Sequence, residues 1–195
     1  KERVVRKIAS FKKLWLVVVM LVAMTGLAQA LEIKGVRFSD TLVVDQTEFK
    51  LNGAAGLRWA MLFDVYAGAR YLPRGVPGKR WSNDIPKRLE ISYFREIEGK
   101  GFAEASDKLL LDNLLPAEYQ ALEKRLQTFY GFFRDVKPGD RYSINYLPEK
   151  GTELRFNEQP LGHVPGSDFA AAYFGIWLGD EPISKGFRDR LLDTD

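Results

Sequence analysis

Leu57-Arg58-Trp59-Ala60-Met61-Leu62-Phe63-Asp64-Val65-Tyr66-Ala67-Gly68-Ala69-Arg70-Tyr71-Leu72 is apolar on both of its alternating faces. Phe63, Val65, Ala67, Ala69 and Tyr71 fall on one side, and Leu62, Tyr66 and Leu72 on the other. A strand of this kind is packed from both sides and reads as the central strand of a sheet. Its sixteen residues exceed the ordinary strand length of about 3 to 10. A bend or hairpin is therefore expected near Trp59 to Leu62. The preceding Gly53-Ala54-Ala55-Gly56 reads as a tight turn, and it lacks the Lys-Ser/Thr of a phosphate-binding loop and the third glycine of a dinucleotide fingerprint.

Period-two alternation recurs on either side of this stretch: Phe49 and Leu51, then Leu89, Ile91 and Tyr93 between Arg88, Glu90 and Ser92. Tyr142, Ile144 and Tyr146 follow, then Leu154 and Phe156. Such strands have one polar face, the habit of antiparallel sheets. Helical period takes over from Gly101 to Leu115, with Phe102, Ala105 and Leu109 on one face. Pro116 restarts a second helix whose Tyr119, Leu122, Leu126, Phe129 and Phe133 form a core stripe. Lys137-Pro138-Gly139-Asp140 turns the chain back to strand. Ser167 is placed to cap a third helix, and Ser184 to start a short final one through Leu192. Strands, two helices, strands, two helices is an α+β order: an antiparallel sheet covered on one face by helices.

The chain has 195 residues, 46% hydrophobic and 28% charged, with a formal net charge of +3. That is one domain's worth of material and excludes a disordered or collagenous chain. The basic excess sits at the start. Residues 1–30 carry six basic side chains and one acidic, all ahead of an apolar run from Leu14 to Leu27 that ends in Ala28-Gln29-Ala30. This is the three-part pattern of a secretory signal peptide, too short for a comfortable span of about 20 residues. The expectation is cleavage after Ala30, a periplasmic product, and membrane contact only through an uncleaved leader. Residues 31–195, with 23 basic and 25 acidic side chains, are mildly acidic and form a single domain with no repeat or linker. No Cys follows the expected cut, so a lipid-anchored form is excluded.

Without Cys and with one His, thiol nucleophiles and Cys/His metal centres are absent, and His163 reads as a loop or strand-end residue. No metal and no cofactor is expected. The densest basic group, Arg74, Lys79, Arg80, Lys87 and Arg88, is interrupted by Pro73, Pro77 and Pro86. It reads as a solvated loop, which argues against a nucleic-acid partner. One cation stands apart: Arg58 lies in an apolar context, where an unpaired guanidinium would cost several kcal/mol. Its partner is either an internal carboxylate such as Asp64 or an anionic ligand.

Leu51-Asn52-Gly53-Ala54-Ala55-Gly56-Leu57-Arg58 followed by Val65 to Leu72 resembles the Gly-Ala-Gly-x-Arg and Tyr-Leu signatures of the chalcone isomerase fold family. Gly99-Lys100-Gly101-Phe102, and Gly166 to Gly179 with Pro182-Ile183-Ser184, resemble its first helix and the C-terminal section of its secreted bacterial branch. The resemblance covers essentially all of 31–195. It implies an open-faced sandwich with a ligand cleft between a large antiparallel sheet and a helical layer. It also implies that Arg58 matches the Arg that holds a phenolate in the plant enzymes and a carboxylate in the fatty-acid-binding members. At the polar positions of the enzymes this chain has Phe102, Tyr66, Leu109 and Phe187, only one of which keeps a hydroxyl. One lost donor of transition-state charge costs about 10² to 10³ in rate, so efficient chalcone isomerase activity is not expected.

The leading expectation is a periplasmic, non-catalytic binder of a fatty acid or similar small amphipathic or aromatic ligand, anchored by Arg58 and lined by Tyr66, Phe102, Leu109 and Phe187. The alternative is an intramolecular lyase acting on a phenolic, chalcone-like substrate. A third reading is a structural or interaction protein in which Arg58 pairs with Asp64 and the cleft is closed.

Overall fold

Three two-residue turns set the strand register: Lys34-Gly35, Asp45-Gln46 and Asn157-Glu158, each with both residues at positive φ. That is the turn whose twist matches a right-handed antiparallel ribbon. The computed structural model describes residues 30–59 and 62–192. The leader expected over residues 1–30 lies outside these except for Ala30. Among the described residues no helix is long and apolar enough to cross a membrane.

The first turn joins β1 (Ala30–Ile33) to β2 (Val36–Ser39) in a separate two-stranded ribbon. The main sheet has seven antiparallel strands in sequence order: β3 (Thr41–Val44), β4 (Thr47–Trp59), β5 (Phe63–Pro73), β6 (Lys87–Tyr93), β7 (Arg141–Leu147), β8 (Gly151–Phe156) and β9 (Gln159–Val164). The helices are α1 (Gly99–Asn113) and α2 (Pro116–Tyr130) between β6 and β7, then α3 (Ser167–Leu178) and α4 (Lys185–Leu192) at the end. The α+β open-faced reading is thus observed. The long apolar stretch is the β4–β5 hairpin, with β5 one place from the middle strand, β6.

One face of the sheet presents Tyr66, Leu89, Ile91, Tyr93, Tyr142, Ile144 and Leu154 to Leu122, Leu126, Phe129, Phe169, Tyr173 and Phe187 of the helices. The other face carries Ala67, Ala69 and Tyr71, packed with Phe38, Val44 and Phe49. There the expected polar face is not solvated. Arg88 and Glu90 are buried, with Arg88 NH2 3.0 Å from Glu90 Oε2 and 2.6 Å from Glu158 Oε1, while NH1 donates to Asn145 Oδ1 at 3.0 Å. Arg141 closes on the other oxygen of Glu90. Lys87, beside them in β6, is buried too, so the solvated loop expected for Lys87 and Arg88 is corrected to an inner strand.

Two other local readings are corrected. Gly53 to Gly56 is not a turn but lies inside β4. A Cβ at Gly53 would run into the backbone of Leu191, so glycine is what allows α4 to lie on the strand. Ser167 is the first residue of α3 rather than its cap, and the chain enters from Gly166 at φ 104. Ser184 does cap α4, its Oγ accepting the Phe187 N–H at 3.3 Å. His163 lies exposed near the end of β9.

Candidate functional site

Tyr66 on β5 and Tyr93 on β6 sit side by side on the helix-facing side of the sheet, their rings edge to face with centroids 5.8 Å apart. Phe187 of α4 meets Tyr66 at 5.5 Å, and Phe102 of α1 meets Tyr93 at 5.3 Å. Gly68 creates the seat for Phe187, since a Cβ there would stand 2.7 Å from the ring. From α3, the Trp177 indole N–H donates to the Tyr66 hydroxyl at 3.0 Å. Three of the expected site residues thus join one cluster, Phe187 through Tyr66 and Phe102 through Tyr93. Leu109, half-buried on α1, packs on the same core without a ring contact.

Two hydroxyls in this aromatic cluster have unused capacity. Tyr66 accepts from Trp177 and donates to no group among the described residues, while Tyr93, 4% exposed, has no hydrogen-bond partner among them. Neighbouring hydroxyls are taken: Tyr142 bonds the Arg134 backbone twice at 2.7 Å, and Tyr173 shares a 3.0 Å bond with Ser106. Burial pushes the pKa values of Tyr66 and Tyr93 above the ordinary tyrosine range, making both phenols weaker acids. Both are neutral donors at physiological pH, suited to an oxygen atom of a carboxylate, carbonyl or phenolate.

Arg58 stands elsewhere. Its side chain is 54% exposed, and Nε lies 3.3 Å from Asp64 Oδ1, a carboxylate also bonded by Lys34. These cations hold the Asp64 carboxyl below its usual range, the Lys34 hydrogen bond first and Arg58 and Arg95 adding to it. The expectation of a guanidinium buried in apolar surroundings is corrected. Apolar neighbours in sequence do not bury a side chain at the end of a hairpin, where the strand runs past the helical layer. The internal carboxylate partner is the one present.

A groove of about 600 Å³ runs between α1, α2 and α3. Leu110, Leu114, Leu122 and Ala172 form its floor, and Glu118, Asp168, Asp180 and Glu181 stand along it. Asp168 is neutralised by Arg125, whose NH2 is 2.5 Å away. Glu181 is paired with Lys185 at 3.1 Å, and the remaining carboxylates, Glu118 and Asp180, disfavour an anionic head group there.

A sequence model of the chalcone isomerase-like family matches residues 30–193. The chain belongs to the chalcone isomerase-like family. Its fold is shared with the Arabidopsis thaliana fatty-acid binding protein at a TM-score of 0.66 and 15% identity, over 85% of this chain and 96% of that one. Two curated relatives match in part. The ADP-binding subunit DhaL of PEP-dependent dihydroxyacetone kinase 2 from Listeria innocua is 31% identical over 127 residues, covering 61% of this chain and 56% of its own. An uncharacterized protein of Haemophilus influenzae is 29% identical over 116 residues, covering 59% and 55%. The chain spans little more than half the length of both.

In this member of the chalcone isomerase-like family, Tyr93 is the residue that sequence reading missed as a site candidate. The signal was available: Tyr93 and Tyr66 are two inward tyrosines on paired strands. A second omission is Arg70, buried on β5, whose Nε donates to Leu191 O at 2.8 Å and NH1 to Gly78 O at 2.9 Å. Its apolar neighbours do coincide with burial, and its role is to clasp α4 to the sheet.

Proposed function

We propose that this protein is a periplasmic, non-catalytic binder of a fatty acid or similar small amphipathic carboxylate, received between the sheet and the helical layer. The observation that carries the reading is the pair of phenols, Tyr66 and Tyr93, side by side in an aromatic cluster with hydroxyl donor capacity unused among the described residues. Two adjacent phenols with donors to spare match the two oxygens of a carboxylate. The tail would lie among Phe102, Phe187 and the neighbouring apolar side chains. Likeness in fold to a fatty-acid binding protein supports the same reading, and the leader-like residues 1–30 support export. The phenols are held neutral, so they orient a ligand without taking a proton from it. Arg58 meets the acid at entry: it is next to Leu57, which lies opposite Tyr66, and a carboxylate reaching it displaces Asp64.

The test is a calorimetric titration with dodecanoate and with oleate. Wild type saturates, and Tyr66→Phe and Tyr93→Phe each weaken binding by about tenfold or more, the scale of a hydrogen bond to a charged group. Arg58→Ala weakens it less. Equal binding by wild type and both tyrosine variants would overturn the assignment. Ring closure of a hydroxychalcone above the spontaneous rate, lost in Tyr66→Phe, would favour the lyase instead. Fractionation of the producing cell tests the compartment.

A further inference from the structure

The β4–β5 hairpin ends in a run of five apolar residues, Trp59-Ala60-Met61-Leu62-Phe63. Leu62 is 72% and Phe63 50% exposed. Single exposed apolar residues need no explanation, but two large adjacent ones where β5 begins do. Cations from three separate elements surround its base: Lys34 from the β1–β2 turn, Arg58 from β4 and Arg95 from the segment after β6. Arg95 lies over the Phe63 ring at 4.7 Å and donates to the Asp64 backbone oxygen at 3.2 Å. The carboxylate among them is Asp64, bonded to both Lys34 and Arg58. Three positive charges against one negative leave this end basic, although residues 31–195 as a whole carry more acidic than basic side chains. An open concavity of about 630 Å³ joins Lys34, Leu62, Phe63, Asp64, Phe94 and Arg95.

From this arrangement we infer that the β4–β5 hairpin tip docks the protein on an anionic lipid bilayer. Leu62 and Phe63 enter the acyl boundary while Lys34, Arg58 and Arg95 stay level with the phosphates. An apolar tip alone would bind any hydrophobic surface, and a basic collar alone would bind any polyanion. The two together, cations behind and apolar residues ahead, match the layering of a charged headgroup region over hydrocarbon. Because residues 31–195 as a whole carry no basic excess, this local basic collar is what an anionic surface attracts. The inference is independent of which ligand the protein takes.

The chain has no cysteine, so one introduced by Leu62→Cys carries a polarity-sensitive fluorophore at a single site, and Leu115→Cys, 67% exposed in wild type at the α1–α2 loop, is the control. The probe at position 62 in the full chain is expected to shift to the blue on vesicles of phosphatidylglycerol and phosphatidylcholine, and that at 115 to stay unchanged. Phosphatidylcholine alone, or added salt at about 0.5 M, reduces the response strongly. Lys34→Glu with Arg95→Glu, or Phe63→Ser, lowers partitioning by about tenfold or more, while the dodecanoate titration of Phe63→Ser matches wild type. No shift at 62 on anionic vesicles, equal shifts at 62 and 115, or a shift that follows protein concentration without vesicles would each overturn the proposal, the last pointing to self-association.

Discussion

The Trp177 indole N–H and the Tyr66 hydroxyl meet at 3.0 Å, joining α3 to β5 across the interface between helices and sheet. Tyr66→Phe removes the acceptor and leaves the indole N–H without it. A stranded buried donor costs about 1 to 3 kcal/mol. Tyr93→Phe has the opposite sign. Its hydroxyl has no partner among the described residues, so removal is neutral or stabilising by about 1 kcal/mol. Urea titrations of both variants check this pair of outcomes, and a clear destabilisation by Tyr93→Phe would contradict the geometry.

Arg58→Ala should barely change stability. The pair with Asp64 is more than half exposed on the arginine side, and Lys34 retains the carboxylate. Exposed pairs contribute about 0 to 1 kcal/mol. The expected shift in urea midpoint is near the lower end, and a large loss would mean that Arg58 is a structural residue.

Gly53→Ala should be costly despite its small size. The new methyl would collide with the Leu191 backbone, which cannot rotate away as a side chain tip can. Overpacking of this kind costs about 1 to 3 kcal/mol. The measurement is thermal unfolding, paired with amide exchange of α4, which should lose protection first.

Lys87 makes stability depend on alkaline pH. Its ammonium donates to the Trp81 and Asn83 carbonyls at 2.8 Å each and lies 4.9 Å from the Tyr146 ring centroid. Burial lowers its pKa from 10.5 to about 8, the Asp84 charge opposing. Between those values the unfolded chain binds the proton and the folded one does not, so Lys87's contribution to stability rises with pH from about 8 to 10.5. The stability gap between wild type and Lys87→Met should move in favour of wild type across that window. A gap that is flat with pH would show that the ammonium is not desolvated.

Periodicity made the hairpin, the four helices and the inward set Tyr66, Leu89, Ile91 and Tyr93 legible, because alternation reports which residues share a face. It does not report what covers that face. Arg88 and Glu90 looked solvated because their partners, Arg141, Asn145 and Glu158, arrive from β7 and the β8–β9 turn. Gly53 looked like a turn because the backbone it accommodates belongs to Leu191. Arg58 looked buried from its neighbours in sequence, yet Arg70, with similar neighbours, is the buried one. The difference is position along the hairpin, tip against middle.

The Arg70 clasp also has a kinetic side. Its bond to Leu191 spans 121 residues of chain, so β5 cannot reach its final environment until Leu191 has left the ribosome. Early-made strands must wait with part of an inner edge unfinished. Folding of such a topology is slow and follows synthesis. Truncation before Leu191 should leave a chain held in a long-lived, aggregation-prone intermediate.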